Sequence, residues 1–477
     1  MGDVNRFDWC VLSLMAVLAL LTGVVIVRGD RVGVRIVALS PERGATNVSS
    51  RAAIQVTFDQ EMEQASVEKR FALSPPVEGT FQWEGKTLIF HPAQPLAHDT
   101  DYTVTLRQGA RSQRGREFPR DTIWRFRTRR LQVLYLAERD ETVDLWVTDS
   151  EGHQQTALTA VPVALWDYAV SPDGRQIVYS AEEESGAINL WLMDADGQNK
   201  VPLTEGDAQC NAPAWSPDGR RIAYERRPLV SGLPALSETE GLGGPSGLDS
   251  PRLWLLDLQT GEPRPLFADD QALGYAPAWS PDGGKLAFFD PANGGIAIYD
   301  FESGESSFIS NEMGEVGSWS PDGKTIAYPQ LFLQGRRFFS HLLLYTLADG
   351  STRDLSSSHV RQGLPTAAGA EVEDGFPLWS PDGQWLAVPR RRWEAEGWTP
   401  GLQLWLVRPD GSESRPLTDE SDCHHGAAAW SPDGRTLAFV RLDLTQNDAR
   451  PEIWLIGVDG SDPHRLVEDG FQPAWLP

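Results

Sequence analysis

From residue 131 to the end of the chain, apolar and polar positions alternate in short runs of roughly four to eight, each closed by turn residues, as half-buried β-strands require. One pentapeptide punctuates these runs. Trp-Ser-Pro-Asp-Gly occupies 215–219 and returns at 279–283, 319–323, 379–383 and 430–434; a copy beginning with Val170 lies at 170–174. Proline presets φ at the second position of a tight turn, aspartate caps its own backbone, and glycine takes the exit. An apolar run follows each copy, for example 221–224, 285–288 and 436–439, so each copy encodes a β-hairpin.

A second phrase alternates with the first. It reads Asp-Leu-Trp-Val-Thr-Asp at 144–149, recurs at 189–194 and 252–257, weakens at 296–300 and 342–347, and is strong again at 403–407 and 452–456. A glycine-bearing turn comes next (Asp196-Gly197, Asp410-Gly411, Asp459-Gly460), then one more short strand. One unit therefore holds four strands, and the second phrase counts seven units. The first phrase has its Ser-Pro-Asp-Gly turn in six of them, once with Val170 for the Trp, and its seventh copy is the terminal stub that carries Trp475. The pattern predicts an all-β fold with a seven-bladed β-propeller over 130–477. The last strand would close the ring by joining the sheet that begins near Leu131, leaving only short, protected edges. A β-solenoid is the alternative, but it needs no split terminal repeat.

These phrases resemble the TolB-type, WD40-like propeller repeats of bacteria, in which an inner strand ending in Trp-Ser-Pro-Asp-Gly precedes a Leu-Trp-x-x-Asp strand. The resemblance implies the propeller and leaves its role open. Such domains serve as protein-docking modules, as gating domains of prolyl-oligopeptidase-like peptidases, or as metal-dependent sugar lyases, and fold alone does not choose among them.

Residues 33–129 alternate at 54–58, 87–90, 102–106 and 123–126, with turn residues at Ser40-Pro41, Ser74-Pro75-Pro76 and Glu84-Gly85. About seven short strands in about a hundred residues predict an Ig-like β-sandwich. The phrases Ser40-Pro41, Gly44-Ala45-Thr46-Asn47-Val48, Val56-Thr57-Phe58-Asp59 and Leu96-Ala97-His98-Asp99 resemble the bacterial Ig-like domain of surface-layer and envelope proteins, which implies a spacer or stalk.

Residues 1–32 contain an uncharged apolar run of nineteen residues, 9–27, long enough to cross a bilayer as one N-terminal transmembrane helix. A cleaved signal peptide is the competing reading, but Arg28-Gly29-Asp30-Arg31 follows the run where an Ala-x-Ala-like site would stand. An uncleaved membrane anchor is expected. Arg28, Arg31 and Arg35 after the run outnumber Arg6 before it, which opposes export by the positive-inside rule. An extracytoplasmic propeller in the cell envelope is expected on the analogy of the domains that follow.

Charge narrows the partners. A formal net charge of −25 excludes nucleic acid, whose phosphates demand Lys and Arg, and opposes docking on anionic lipid. Three cysteines, Cys10, Cys210 and Cys423, make no disulfide framework and are expected unpaired.

In the predicted propeller the repeated turns lie on one face and the variable loops on the other. Insertions at 226–250, 330–340, 390–401 and 442–451 and the approach at 359–375 make that second face the candidate binding surface. Its candidate residues are Arg336, Arg337, Arg391, Trp393, Trp398, Asp422, His424 and His425. Arg and Trp favour a protein or peptide partner, and the tryptophans would also stack a saccharide. Arg and acid groups pairing across a solvated rim are the plainer alternative. No metal and no cofactor is expected. The adjacent His424 and His425 point apart in an extended segment, and His341 and His359 supply no His-x-His spacing. No Gly-x-Ser-x-Gly elbow, Walker loop or dinucleotide fingerprint occurs, and a Ser and Asp repeated in every unit are turn-formers. The expected function is non-catalytic binding as a membrane-anchored envelope scaffold. The alternative is a metal-dependent lyase- or hydrolase-like propeller acting on acidic saccharides.

Overall fold

The computed structural model of the chain describes residues 33–93, 95–229, 251–268, 272–334, 337–357, 372–393 and 400–476, together with Met15. The expected transmembrane run, 9–27, lies outside the described residues apart from Met15. Among the described residues no helix is long and apolar enough to cross a membrane.

Two compact units divide the chain near residue 128. The first is a sandwich of two four-stranded sheets. One sheet joins Ile36–Ser40, Ile54–Phe58, Thr87–Pro92 and Gly79–Glu84 in that spatial order. The other joins Ala45–Val48, Thr122–Thr128, Asp101–Leu106 and Phe71–Ser74. Alternation sets the core. Ile54, Val56 and Phe58 from one sheet meet Tyr102, Val104, Leu106, Trp124 and Phe126 from the other, and all are almost fully buried. Eight strands stand where about seven were expected, and a five-residue helix, Gln64–Glu68, lies between two of them with Val67 buried beneath it. No periodicity announces a helix so short.

In the second unit three sheets are antiparallel and four-stranded, and an eight-stranded and a nine-stranded sheet each join two successive antiparallel groups through one parallel pairing, Ile188 opposite Gln209 and Ser340 opposite Glu373. Tyr275–Trp279, Lys285–Asp290, Gly295–Asp300 and Ser306–Ser310 make one four-stranded sheet. Cys423–Trp430, Thr436–Asp443, Glu452–Gly457 and His464–Val467 make another. The terminal strand Phe471–Leu476 pairs antiparallel with Gln132–Arg139, nearly 340 positions earlier, and completes a four-stranded sheet with Thr142–Asp149 and Thr156–Ala157.

The repeated residues do two separate jobs. Within each turn the serine hydroxyl donates to the aspartate, at 2.8 Å for Ser171 and Asp173 and 2.6 Å for Ser431 and Asp433. The amide two residues beyond the aspartate donates to the same oxygen, as Arg220 does to Asp218 at 3.1 Å. The glycine takes the positive φ that closes the turn, 70° at Gly219. The tryptophan reaches outward instead. The Nε1 hydrogens of Trp215, Trp279, Trp319, Trp430 and Trp475 donate to the carbonyls of Ala169, Ala214, Ala278, Leu378 and Ala429 at 3.0–3.1 Å, each in the preceding four-stranded group. Trp379 breaks the series. Its indole nitrogen is buried without a hydrogen-bond partner, in the group whose first strand is split into Val372–Asp374 and Leu378–Trp379.

Candidate interaction surface

The hairpin of Thr325–Gln334 and Arg337–Thr346 sets the site. Its strands run ten residues each, against six for Lys285–Asp290 and Gly295–Asp300 in the preceding group. Both hairpins start from the same kind of turn, so the extra four pairs carry this one roughly 14 Å further from that turn. Those pairs run from Leu331 opposite Ser340 to Gln334 opposite Arg337. Phe332, Leu333 and Phe338 stand exposed there, at 39%, 64% and 63%. Phe332 leans on the His341 ring at 4.9 Å between centroids, and His341 Nδ1 is hydrogen-bonded to Asp354 at 2.8 Å.

The short strand Val372–Asp374 ties this hairpin to the next group. Glu373 pairs in parallel with Ser340 on one side and antiparallel with Arg391 on the other. Two Arg- and aromatic-bearing stretches some fifty residues apart in sequence thus share one end of one sheet. A single strand separates them, or roughly 10 Å.

Strand alternation then separates Arg391 from Arg390 and Arg392, which share a face over the Trp405 ring. Arg390 is buried, with its guanidinium on Asp374: Nε to Oδ1 at 2.5 Å and Nη2 to Oδ2 at 3.0 Å. The sequence grouped Arg390 and Asp374 with the surface charges; the structure removes both from the surface. Arg391 faces the other way. It pairs with Glu373 at 3.3 Å, donates to the Pro400 carbonyl at 2.8 Å, and lies 5.0 Å from the ring centroid of Trp393, which is itself exposed. Arg392 covers the Trp405 ring at 4.3 Å.

Other predicted residues fall as follows. Arg337 takes its place at the hairpin's end by its backbone pairing with Gln334. Arg336, Trp398 and His359 lie outside the described residues. Asp422 is exposed, just before the strand Cys423–Trp430. His424 Nδ1 accepts from the Leu402 amide at 3.3 Å. Burial lowers its pKa, the Arg391 charge lowers it further, and Glu373 opposes them, so His424 belongs electrostatically to the Arg391 cluster. The backbones are close here: a side chain at Gly401 would collide with the Cys423 carbonyl and His424 Cα. His425, one residue on, turns inward and is fully buried.

Cys210 and Cys423 are both free and buried. In sequence Cys423 reads only as an unpaired cysteine, and the histidine spacing points to no metal site. The structure brings Cys423 together with Glu420 and His425, their donor atoms all within 4.8 Å of one another. The available signal was Glu-x-x-Cys-x-His at 420–425, because positions 423 and 425 of a strand share a face. Burial pushes the Cys423 thiol up to about 11, so without a metal it stays protonated and unreactive.

Two further carboxylates accept amides from bulges in first strands, Asp167 on the first strand Leu165–Val170 and Glu225 on the second strand Arg221–Pro228. Bulges leave Ala212 and Ala276 at positive φ, 48° and 53°, and their amides donate to Asp167 at 3.3 Å and Glu225 at 2.8 Å. Burial raises both carboxyl pKa values; the amide bonds oppose the rise, and Asp167 adds to that of Glu225. A raised carboxyl favours the protonated form in the fold. Its stabilising contribution is present at low pH and is lost as pH climbs through the folded value. Glu225→Gln keeps an oxygen for the Ala276 amide and cannot ionise. The variant is expected to exceed the parent in stability at about pH 8, with the margin shrinking toward about pH 4. Urea unfolding at the two pH values checks this; a margin that does not change with pH would contradict it.

Comparison with known proteins adds the following. A family model described as a bacterial Ig-like domain matches residues 30–128. The chain is 28% identical over 219 residues to the Bacillus subtilis protein named uncharacterized peptidase YuxL, covering 44% of this chain and 26% of that one. It is 32% identical over 78 residues to a Tol-Pal system protein TolB of Novosphingobium aromaticivorans, covering 16% of each. A crystal structure of TolB from Acinetobacter baumannii is similar with a TM-score of 0.40 and 19% identity, over 72% of this chain and 82% of that one. This chain thus spans well under two thirds of the length of these two curated relatives. Residues 30–128 are a bacterial Ig-like domain, and the repeats that follow are similar to those of TolB and other propeller proteins.

Proposed function

We propose that this protein is a non-catalytic binding protein of the cell envelope, in which a seven-bladed propeller recognises a protein or peptide partner. The observation that carries the reading is the elongated hairpin. It lifts Phe332, Leu333 and Phe338 into solvent beside the stacked Arg391 and Trp393. Exposed apolar side chains grouped with Arg and Trp have the chemistry of interface hot spots, whereas a surface that only met water would gain nothing from them. The pairing of Phe471–Leu476 with Gln132–Arg139 supports ring closure. The Ig-like match and the TolB relative support an envelope location, and the apolar run at 9–27 supports membrane attachment.

The test is peptide-display selection against the full-length protein, then titration of the selected peptides against a Leu333→Asp/Phe338→Asp variant. Both positions are exposed, so the variant should melt as the parent does. Affinity is expected to fall at least about tenfold, or roughly 1.4 kcal/mol. Equal affinity for both proteins, or no selected peptide at all, would remove this surface from the proposal.

A further inference from the structure

We propose that Glu420, Cys423 and His425 form a binding site for one divalent ion of the zinc class, with a fourth coordination position open to water or a small ligand. The site is independent of the partner-binding reading above. Cys423 and His425 lie two residues apart on Cys423–Trp430 and are both buried, at 4% and 0% exposure. Glu420 enters from the preceding loop, and its Oε1 stands 3.7 Å from His425 Nε2. Donors held about 2.0–2.3 Å from one ion stand some 3–4 Å from each other, so only a small closure is needed. Glu420, with 39% of its side chain exposed, is free to make it.

The independent sign of a ligand is His425 itself. Its ring is fully buried, and Nε2 has no hydrogen-bond partner. An orphaned buried polar atom of this kind is costly, and a bound ion would satisfy it. Repeat chemistry fixes which nitrogen carries the proton. In the groups at Asn189 and Asp144 a threonine hydroxyl accepts a backbone amide and donates to the side chain preceding that amide: Thr204 does so between Leu190 and Asn189, and Thr159 between Leu145 and Asp144. Thr418 repeats the pattern, accepting from the Leu404 amide at 2.9 Å and donating to Gln403 Oε1 at 3.2 Å. Its single proton is then spent. By the same pattern we assign the 2.7 Å contact with His425 Nδ1 as a donation from Nδ1–H to Thr418. Nε2 is left as a bare lone pair facing Glu420, held in orientation by the hydrogen bond on the far side of the ring. Metal-binding imidazoles are commonly held this way.

Glu420 is prepared similarly. Arg441 Nε donates to its Oε2 at 2.8 Å, leaving Oε1 toward the histidine. Glu452 pairs with Arg441 at 3.0 Å and offsets the positive charge that would otherwise repel an ion. Binding releases one proton, from the Cys423 thiol to solvent, and the thiolate and carboxylate together neutralise a divalent ion. Thiolate with imidazole selects zinc, or cobalt and iron in its place, over magnesium and calcium, which take oxygen. Three protein ligands leave the open position typical of reactive rather than purely structural zinc sites.

Cobalt(II) added to the full-length, metal-stripped protein is the test. One equivalent is expected to bind with a thiolate-to-cobalt charge-transfer absorption, and zinc should displace it. Cys423→Ser should abolish the absorption and Cys210→Ser should leave it intact. Should Cys423→Ser fail to fold, Glu420→Gln decides: its side chain is partly exposed and its amide oxygen still accepts from Arg441, and cobalt affinity should fall at least tenfold. No charge-transfer band in the parent, a band retained in folded Cys423→Ser, or unchanged affinity in Glu420→Gln would each overturn the site.

Discussion

Asp374→Ala is expected to destabilise the protein by about 3–5 kcal/mol, the cost of leaving a buried charge without its partner. Arg390 and Asp374 expose 3% and none of their side chains, so solvent cannot take the place of the lost carboxylate. The same carboxylate accepts the Leu342 amide at 3.0 Å and the hydroxyl of Ser356, so the guanidinium and the hydroxyl lose this acceptor together, while the Leu342 amide keeps Ser356 Oγ. Leu342 lies on the long hairpin and Arg390 on the next group, with Asp374 on the strand between them, so the pair joins the two halves of the candidate interaction surface. Replacing both partners by apolar residues of similar size, Asp374→Leu with Arg390→Met, should recover most of the loss, since the pair's attraction largely repays its own desolvation. Urea unfolding of the single and double variants measures both values. A single variant within about 1 kcal/mol of the parent would mean that water reaches Arg390.

Deleting residues 471–477 is expected to abolish cooperative unfolding and cause aggregation. The strand Gln132–Arg139 would lose its partner along one edge, and Val133, Leu134, Tyr135, Leu136 and Ala137, all fully buried, would face solvent beside unpaired backbone groups. Trp475→Ala is the graded version. It removes a side chain that is 7% exposed and donates to the Ala429 carbonyl at 3.0 Å, so a loss of about 3–5 kcal/mol is expected with the terminal strand still present. Thermal unfolding with size-exclusion chromatography separates the outcomes. A deletion variant that melts with the parent would show that the terminal pairing stabilises nothing and would count against ring closure.

Much of this architecture is legible along the chain because it is written repeatedly. The Ser–Asp turn is local: its hydrogen bonds span two to five residues, so any copy of the pentapeptide carries the whole instruction. Alternation likewise places strands such as Ile54–Phe58 and Thr87–Pro92 and the core faces they bury. The terminal pairing was legible for a different reason. Seven second phrases against six Ser-Pro-Asp-Gly turns left one strand position to be filled from the far end of the chain.

Tertiary structure decided what each charged residue does. Nothing in Arg390-Arg391-Arg392 distinguishes the buried member from its neighbours. Asp374, contributed from sixteen residues earlier, makes that distinction, and it is positioned by a three-residue strand too short to announce itself. The joining of the hairpin tip to Arg391 and Trp393 depends on the same strand. The Glu420, Cys423 and His425 cluster lies between these cases. The strand period puts Cys423 and His425 on one face, but the ring's contact with Thr418 on one side and its unpartnered Nε2 on the other are set by packing. Sequence determines contacts whose partners lie within a turn or a strand period, because backbone geometry alone brings them together. Contacts between distant segments, and with them the choice of which polar group is left unsatisfied, follow only once the strands are packed.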